Sequence, residues 1–125
     1  ETFDEFEVMT VECKDNNYSE NLFSDCVSLR SIKMPHTISF LPSCCFQGCT
    51  NLTNVTLQKG ITEISGSSFR ECRSLKYLEI PDTVTKIGAA IFINSGIEVM
   101  DFPESVTSIG SSVFNGVTTL KTMII

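Results

Sequence analysis

The 23 residues from Phe69 to Ile91, FRECRSLKYLEIPDTVTKIGAAI, set the pattern that the rest of the chain copies. Phe23, Phe46, Phe69, Phe92 and Phe114 follow one another at spacings of 23, 23, 23 and 22. Six residues after four of these come Leu29, Leu52, Leu75 and Leu120. Ile97 stands five after Phe92, which accounts for the one short interval. A fixed period in the range of about 20–29 residues is the mark of a solenoid, in which one turn of chain cannot bury its apolar face alone and does so against the next.

Within one unit, Leu78 and Ile80 are two apart, the spacing of a strand with one face inward. Pro35, Pro81 and Pro103 follow such segments and mark their ends, because proline lacks the N–H that ladder pairing needs. The V-T-K-I-G and V-T-S-I-G segments, ending at Gly88 and Gly110, predict a second short extended segment closed by a turn. Ser68 and Glu71, three apart, have the spacing of a capping box and predict a single helical turn around each Phe. The coils then run 23–45, 46–68, 69–91 and 92–113, and a last, incomplete one starts at Phe114. The fold class predicted is a β-rich α/β solenoid of about five 22–23-residue coils. Its strands pair in parallel at about 4.8 Å.

Residues 1–22 read as a degenerate, more polar capping coil of a single solenoid domain spanning 1–125. Phe3 falls in the Phe column; Val8, Val11 and Cys13 take the places of Leu75, Leu78 and Ile80; Tyr18 and Leu22 take those of Ile87 and Ile91. At the other end, Met123, Ile124 and Ile125 form an apolar edge strand with nothing after it. Continuation of the chain past Ile125 is the favoured expectation, and end-to-end association through the Ile125 edge is the alternative. The chain also opens on Glu1 rather than Met, as expected of a processed or excised segment whose signal or anchor lies elsewhere.

The unit L-x-x-L-x-I-P-x-x-V-T-x-I-G-x-x-x-F-x-x-C, taken from residue 75 onward, resembles the BspA-like class of leucine-rich repeats. The likeness covers the chain from about Phe3 to Ile125. Gly60 stands near the Pro position of the third coil, Ser95 and Val117 replace Cys, and Pro42 and Ser65 replace Gly. The resemblance implies a right-handed leucine-rich repeat array with its strands on the concave side. It also implies a cell-surface or extracellular protein of a bacterium or parasitic protist. Such proteins are implicated in adhesion to host matrix proteins and to other cells.

Composition narrows the classes further. Charged residues make up 19% and hydrophobic ones 42%, as in a folded chain. The net charge of −6 repels phosphate backbones, so nucleic acid is not an expected partner. No apolar run reaches the ~20 residues of a membrane span, and no secretory signal pattern is present.

Candidate chemistry is sparse. Cys26, Cys49 and Cys72 share one column, each three after a Phe, and read as small buried apolar residues. Stacked neighbours lie near disulfide range, so a pair bridges under oxidation if the geometry allows. Cys45 and Cys13 are expected to face inward, and Cys44 outward as the reactive thiol. No C-x-x-C pair or zinc-like spacing occurs, so no metal is expected. His36, the only histidine, reads as an exposed loop residue with no nucleophile or acid tied to it. Phosphate-loop, dinucleotide, zincin and hydrolase motifs are missing, so neither a catalytic residue nor a cofactor is assigned and no enzyme is expected. Asn17, Asn51 and Asn54 begin N-x-S/T sequons and are candidate glycosylation sites in a secreted eukaryotic protein.

Alternation along the strands leaves two outward rows. One is Lys33, Thr56, Glu79, Asp101 and Ile124; the other is Ser31, Asn54, Tyr77, Val99 and Thr122. They form a mildly acidic strip with Tyr77 as its aromatic, and aromatic anchors tend to dominate interfaces. The leading expectation is a non-enzymatic protein-binding module that uses this strip. The alternative is a structural spacer or assembly scaffold with contacts at its ends or convex side.

Overall fold

The computed structural model describes residues 6–7 and 21–124. It is a stack of coils whose strands pair with their equivalents one period away. Nine short strands occur among the described residues: β1 (Phe6–Glu7), β2 (Ser31–Lys33), β3 (Phe40–Leu41), β4 (Asn54–Thr56), β5 (Glu63–Ile64), β6 (Lys86–Ile87), β7 (Val99–Asp101), β8 (Ser108–Ile109) and β9 (Thr122–Ile124). Every pairing is parallel.

Two faces carry these strands. The first face has β1-β2-β4 as one sheet and β7-β9 as another. The second face has β3-β5-β6-β8 without interruption. It is built from the V-T-x-I-G segments, where the sequence places a second extended stretch. Thr62, Thr85 and Thr107 reinforce it, each donating its hydroxyl to a carbonyl of the preceding coil, at Ser39, Thr62 and Thr85.

Between the faces lies one continuous core. Phe23, Phe46, Phe69, Phe92 and Phe114 stack in a column with ring centroids 5.5 to 5.9 Å apart and planes within 21°. Offset stacking of this kind adds to the burial of each ring. Leu29, Leu52, Leu75 and Ile97 are buried beside them. The inward strand residues Ile32, Val55, Leu78 and Met100 are buried too, as alternation requires. In the last described coil the equivalent Met123 is 45% exposed.

Three sequence expectations are corrected. The segment around each Phe is a chain of turns, and no helix occurs among the described residues. Ser68 caps nothing: its hydroxyl donates to the carbonyls of Pro42 and Ser65, and Glu71 sits at φ 65°. Each coil bends at two left-handed residues four apart, one from Asn21, Cys44, Ser67, Ala90 and Ser112, the other from Asp25, Gly48, Glu71, Asn94 and Gly116. Two such reversals wrap the chain around its Phe, where a helical turn would carry it past.

The second correction concerns Gly88 and Gly110. Neither has a positive φ, and the turn that closes each segment begins one residue later, at Ala89 and Ser111. They are glycines because backbones meet there: a Cβ on Gly88 would lie 2.7 Å from the nitrogen of Gly66, and one on Gly110 2.5 Å from that of Ala89. The third lies in the first coil. β1 pairs Phe6 with Ile32, the column assigned above to Val11. Phe3, Val8, Val11, Cys13 and Tyr18, and with them most of the proposed cap, lie outside the described residues; Leu22 packs against the core.

Candidate partner-binding face

The outward rows emerge on the first face as alternation places them. Lys33, Asn54, Thr56, Tyr77, Glu79, Val99, Asp101 and Thr122 are exposed, and Ser31 is half-buried. Register aligns them: Ser31 opposes Asn54, Lys33 opposes Thr56, and Val99 opposes Thr122. Asp101 opposes Ile124, and Tyr77 meets Val99 through an isolated bridge. Tyr77 is 50% exposed, with its ring available to a partner.

The surrounding acids differ in company. Glu98 lies 3.2 Å from Lys76 and 3.9 Å from Lys121, Glu63 3.9 Å from Lys86, and Asp82 3.4 Å from Lys59. Glu71 pairs with Arg73. These are exposed pairs that contribute little to stability. No ion pair among the described residues engages Glu79 or Asp101, so their charge is offered to solvent.

Alternation missed one feature of this face. The front segment of coil four, Leu75–Ile80, has the two-residue alternation of a strand, yet it forms no regular strand. Its only strand-type contact is the bridge from Tyr77 to Val99. Towards coil three, no backbone hydrogen bond joins residues 53–58 to 76–81 among the described residues. Two clefts open there and a third lies on the far side of Glu79, between coils four and five; Glu79 lines all three. One of about 140 Å³ lies between β4 and Tyr77; one of about 380 Å³ reaches Lys59 and Asp82; one of about 130 Å³ reaches Asp101 and Pro103.

The thiol column is structural. The Cys49 thiol donates to the carbonyl of Phe23 at 3.0 Å and the Cys72 thiol to that of Phe46 at 3.1 Å. Burial pushes Cys49 up to about 12 and raises Cys72 as well. Cys26, where the column starts, is only half-buried, short of the burial expected for it; burial first and the charge of Asp25 second raise its pKa. All three are free thiols, as is Cys44. Cys45 is buried in the column of Ser68, Ile91 and Val113, and Cys44 is half-buried at a left-handed position. Cys13 lies outside the described residues.

The remaining candidates scatter. His36 is exposed. The Asn51 amide donates to the carbonyl of Val27 at 2.7 Å, so its nitrogen is engaged. Asn54 stands exposed on β4 and lines the cleft of about 140 Å³ beside Tyr77, and Asn17 lies outside the described residues. Among the described residues no three His, Cys, Asp or Glu side chains gather as a metal-binding group, and no helix is long and apolar enough to cross a membrane.

Comparison with solved structures finds the same architecture. A leucine-rich repeat protein of T. pallidum superposes with a TM-score of 0.80 at 31% identity, over 82% of this chain and 49% of that one. A leucine-rich repeat protein of Bacteroides ovatus gives 0.81 at 24% identity, over 86% and 28%. A leucine rich cell surface protein of Faecalibacterium prausnitzii gives 0.63 at 24%, over 83% and 35%. The chain thus spans half or less of each of these proteins. No curated protein matches it. The model of the BspA type leucine rich repeat region matches residues 9–125 in 6 copies, and with Phe column, paired strands and turns all in phase the chain belongs to that family.

Proposed function

We infer that this repeat scaffold is a non-enzymatic protein-binding and adhesion module of a surface or extracellular protein, and that its partner is a protein, such as a host matrix or cell-surface protein, met by the first strand face. The observation that carries this is the pair of exposed rows with Tyr77 open and with Glu79 and Asp101 in no ion pair among the described residues. Membership of the leucine-rich repeat family supports this strand face as the concave one. Concave strand faces are the surfaces repeat proteins commonly use for partners. The likeness to a protein described as a cell surface protein supports the location.

The test is capture of purified matrix proteins and cell-surface extracts on immobilised protein. A Tyr77→Ala, Glu79→Ala, Asp101→Ala variant should lose the captured protein, and Lys86→Ala on the second face should keep it. Retention by the triple variant sinks the reading. The alternative, a spacer with contacts at its ends, predicts concentration-dependent growth in sedimentation that Ile124→Lys abolishes.

A further inference from the structure

The interrupted ladder between coils three and four deepens that reading and rests on it. In β4, the amide of Asn54 donates to Arg30 and the carbonyl of Thr56 accepts from Met34, so both residues turn their backbone towards coil two. Alternation turns the backbone groups of Val55 and Leu57 towards coil four. The same phase turns those of Tyr77 and Glu79 towards coil three. No hydrogen bond crosses between these two sets. The interruption is local. On the turn side Gly48 N–H still donates to the carbonyl of Arg70, and Ser74 to that of Thr50. On the second face β5 still pairs β6. Coils three and four are therefore joined on two sides and open on the third, where the partner strip lies.

What opens there is a seat with acceptors and a ring. Tyr77 and Glu79 line the cleft against β4 together with Asn54, Val55, Thr56 and Leu57. Tyr77, Glu79 and Asp101 line the cleft on the other side. We propose that this gap seats an arginine side chain carried on an extended segment of the protein partner. The guanidinium is planar and has five N–H donors, so it serves several acceptors at once. The Glu79 carboxylate in the gap supplies the opposite charge, with that of Asp101 across the neighbouring cleft; carbonyls of the gap that accept no backbone N–H among the described residues take further N–H groups, and the Tyr77 ring offers a face to the cation. Lysine offers three donors on a point charge and suits the site less. A neutral or acidic segment meets two uncompensated carboxylates.

The experiment titrates the peptide Ac-Gly-Ser-Arg-Ser-Gly-amide into the labelled protein and follows amide shifts by NMR. Saturable shifts are expected at Val55, Leu57, Tyr77 and Glu79, and none around Lys86 on the second face. Replacing arginine by citrulline, which keeps the shape and loses the charge, should abolish them, and lysine should weaken them. The Glu79→Gln, Asp101→Asn variant should bind about tenfold more weakly, and higher salt should weaken the wild type. No shift at those four amides, or equal binding of the citrulline peptide, overturns the proposal. If the peptide fails while matrix-protein capture still depends on Lys33, Val99 and Thr122, the seat is wrong and the binding strip stands. Both exchanges are isosteric and exposed, and unfolding is checked by the unshifted second-face amides.

Discussion

The thiol of Cys72 donates to the carbonyl of Phe46, one coil back, at 3.1 Å, and that carbonyl already accepts the N–H of Cys49 at 3.1 Å. Cys49 and Cys72 therefore each close their own turn and clamp the one before. Cys72→Ala removes the clamp and leaves a small void. A loss of about 1–2 kcal/mol in urea unfolding is expected, with Cys72→Ser, which keeps a donor, losing less. Equal losses for Ala and Ser would show that packing alone sets this position.

The same burial gives stability a pH dependence. Unfolded, the Cys49 thiol titrates near its ordinary value of 9.0; folded, it does so at about 12. A raised thiol pKa leaves full stability below pH 9.0, which is then lost as pH climbs towards 12, because only the unfolded chain ionises there. Each such thiol contributes a fall of at most about 1.4 kcal/mol per pH unit. Urea unfolding at pH 8, 9 and 10 should show a shallower decline for Cys49→Ser than for wild type; parallel declines would contradict the burial account.

Ala90 sits at φ 61°, where an L side chain without a polar group is strained. Ala90→Gly should therefore stabilise by about 0.5–1 kcal/mol despite the added freedom of the unfolded chain. Ala89→Gly, one residue earlier and outside the left-handed region, should destabilise. Thermal unfolding of the two variants is the check, and opposite signs are the expected result.

Gly88→Ala places a methyl 2.7 Å from the nitrogen of Gly66, against backbone that has nowhere to move. A cost of about 1–3 kcal/mol is expected. Gly66→Ala, whose methyl would lie 3.1 Å from the carbonyl oxygen of Ala89, should cost less. Reversal of that order in urea titrations would mean that the coils respace freely at this edge.

Phe69 has a ring on each side, at 5.5 Å and 5.9 Å. Phe69→Ala strips contacts from both neighbours and should cost about 3–5 kcal/mol. Phe114→Ala, at the half-buried end of the column, should cost clearly less by the same measurement.

Column by column, the chain shows what was legible in its sequence. Phe46, Phe69 and Phe92, like Ile32, Val55 and Met100, are one residue type or class in one phase, so their stacking follows from the period. The left-handed bends were hidden because Cys44, Ser67, Ala90 and Glu71 are not turn residues by themselves. Asn21, Asp25, Gly48, Asn94 and Gly116 were the readable signal, in two columns four apart. Leu75–Ile80 misled in the other direction: its alternation is right for a strand, but pairing depends on how close its neighbours come, and coil three stands off. The positions of the strip residues followed from alternation; the cleft beneath Tyr77 did not, because it arises from a bond that fails to form.

The failed pairing also bears on stiffness. Behind it, the phenyl column and β3-β5-β6-β8 run on without a gap. In front, β1-β2-β4 and β7-β9 are separate leaves. The molecule is built like a book with two rigid covers and one unbroken spine, and opening or closing it breaks no main-chain bond in the crease. A guest large enough to part the covers therefore works against side-chain packing alone, and the grip it meets is set by how far the spine flexes.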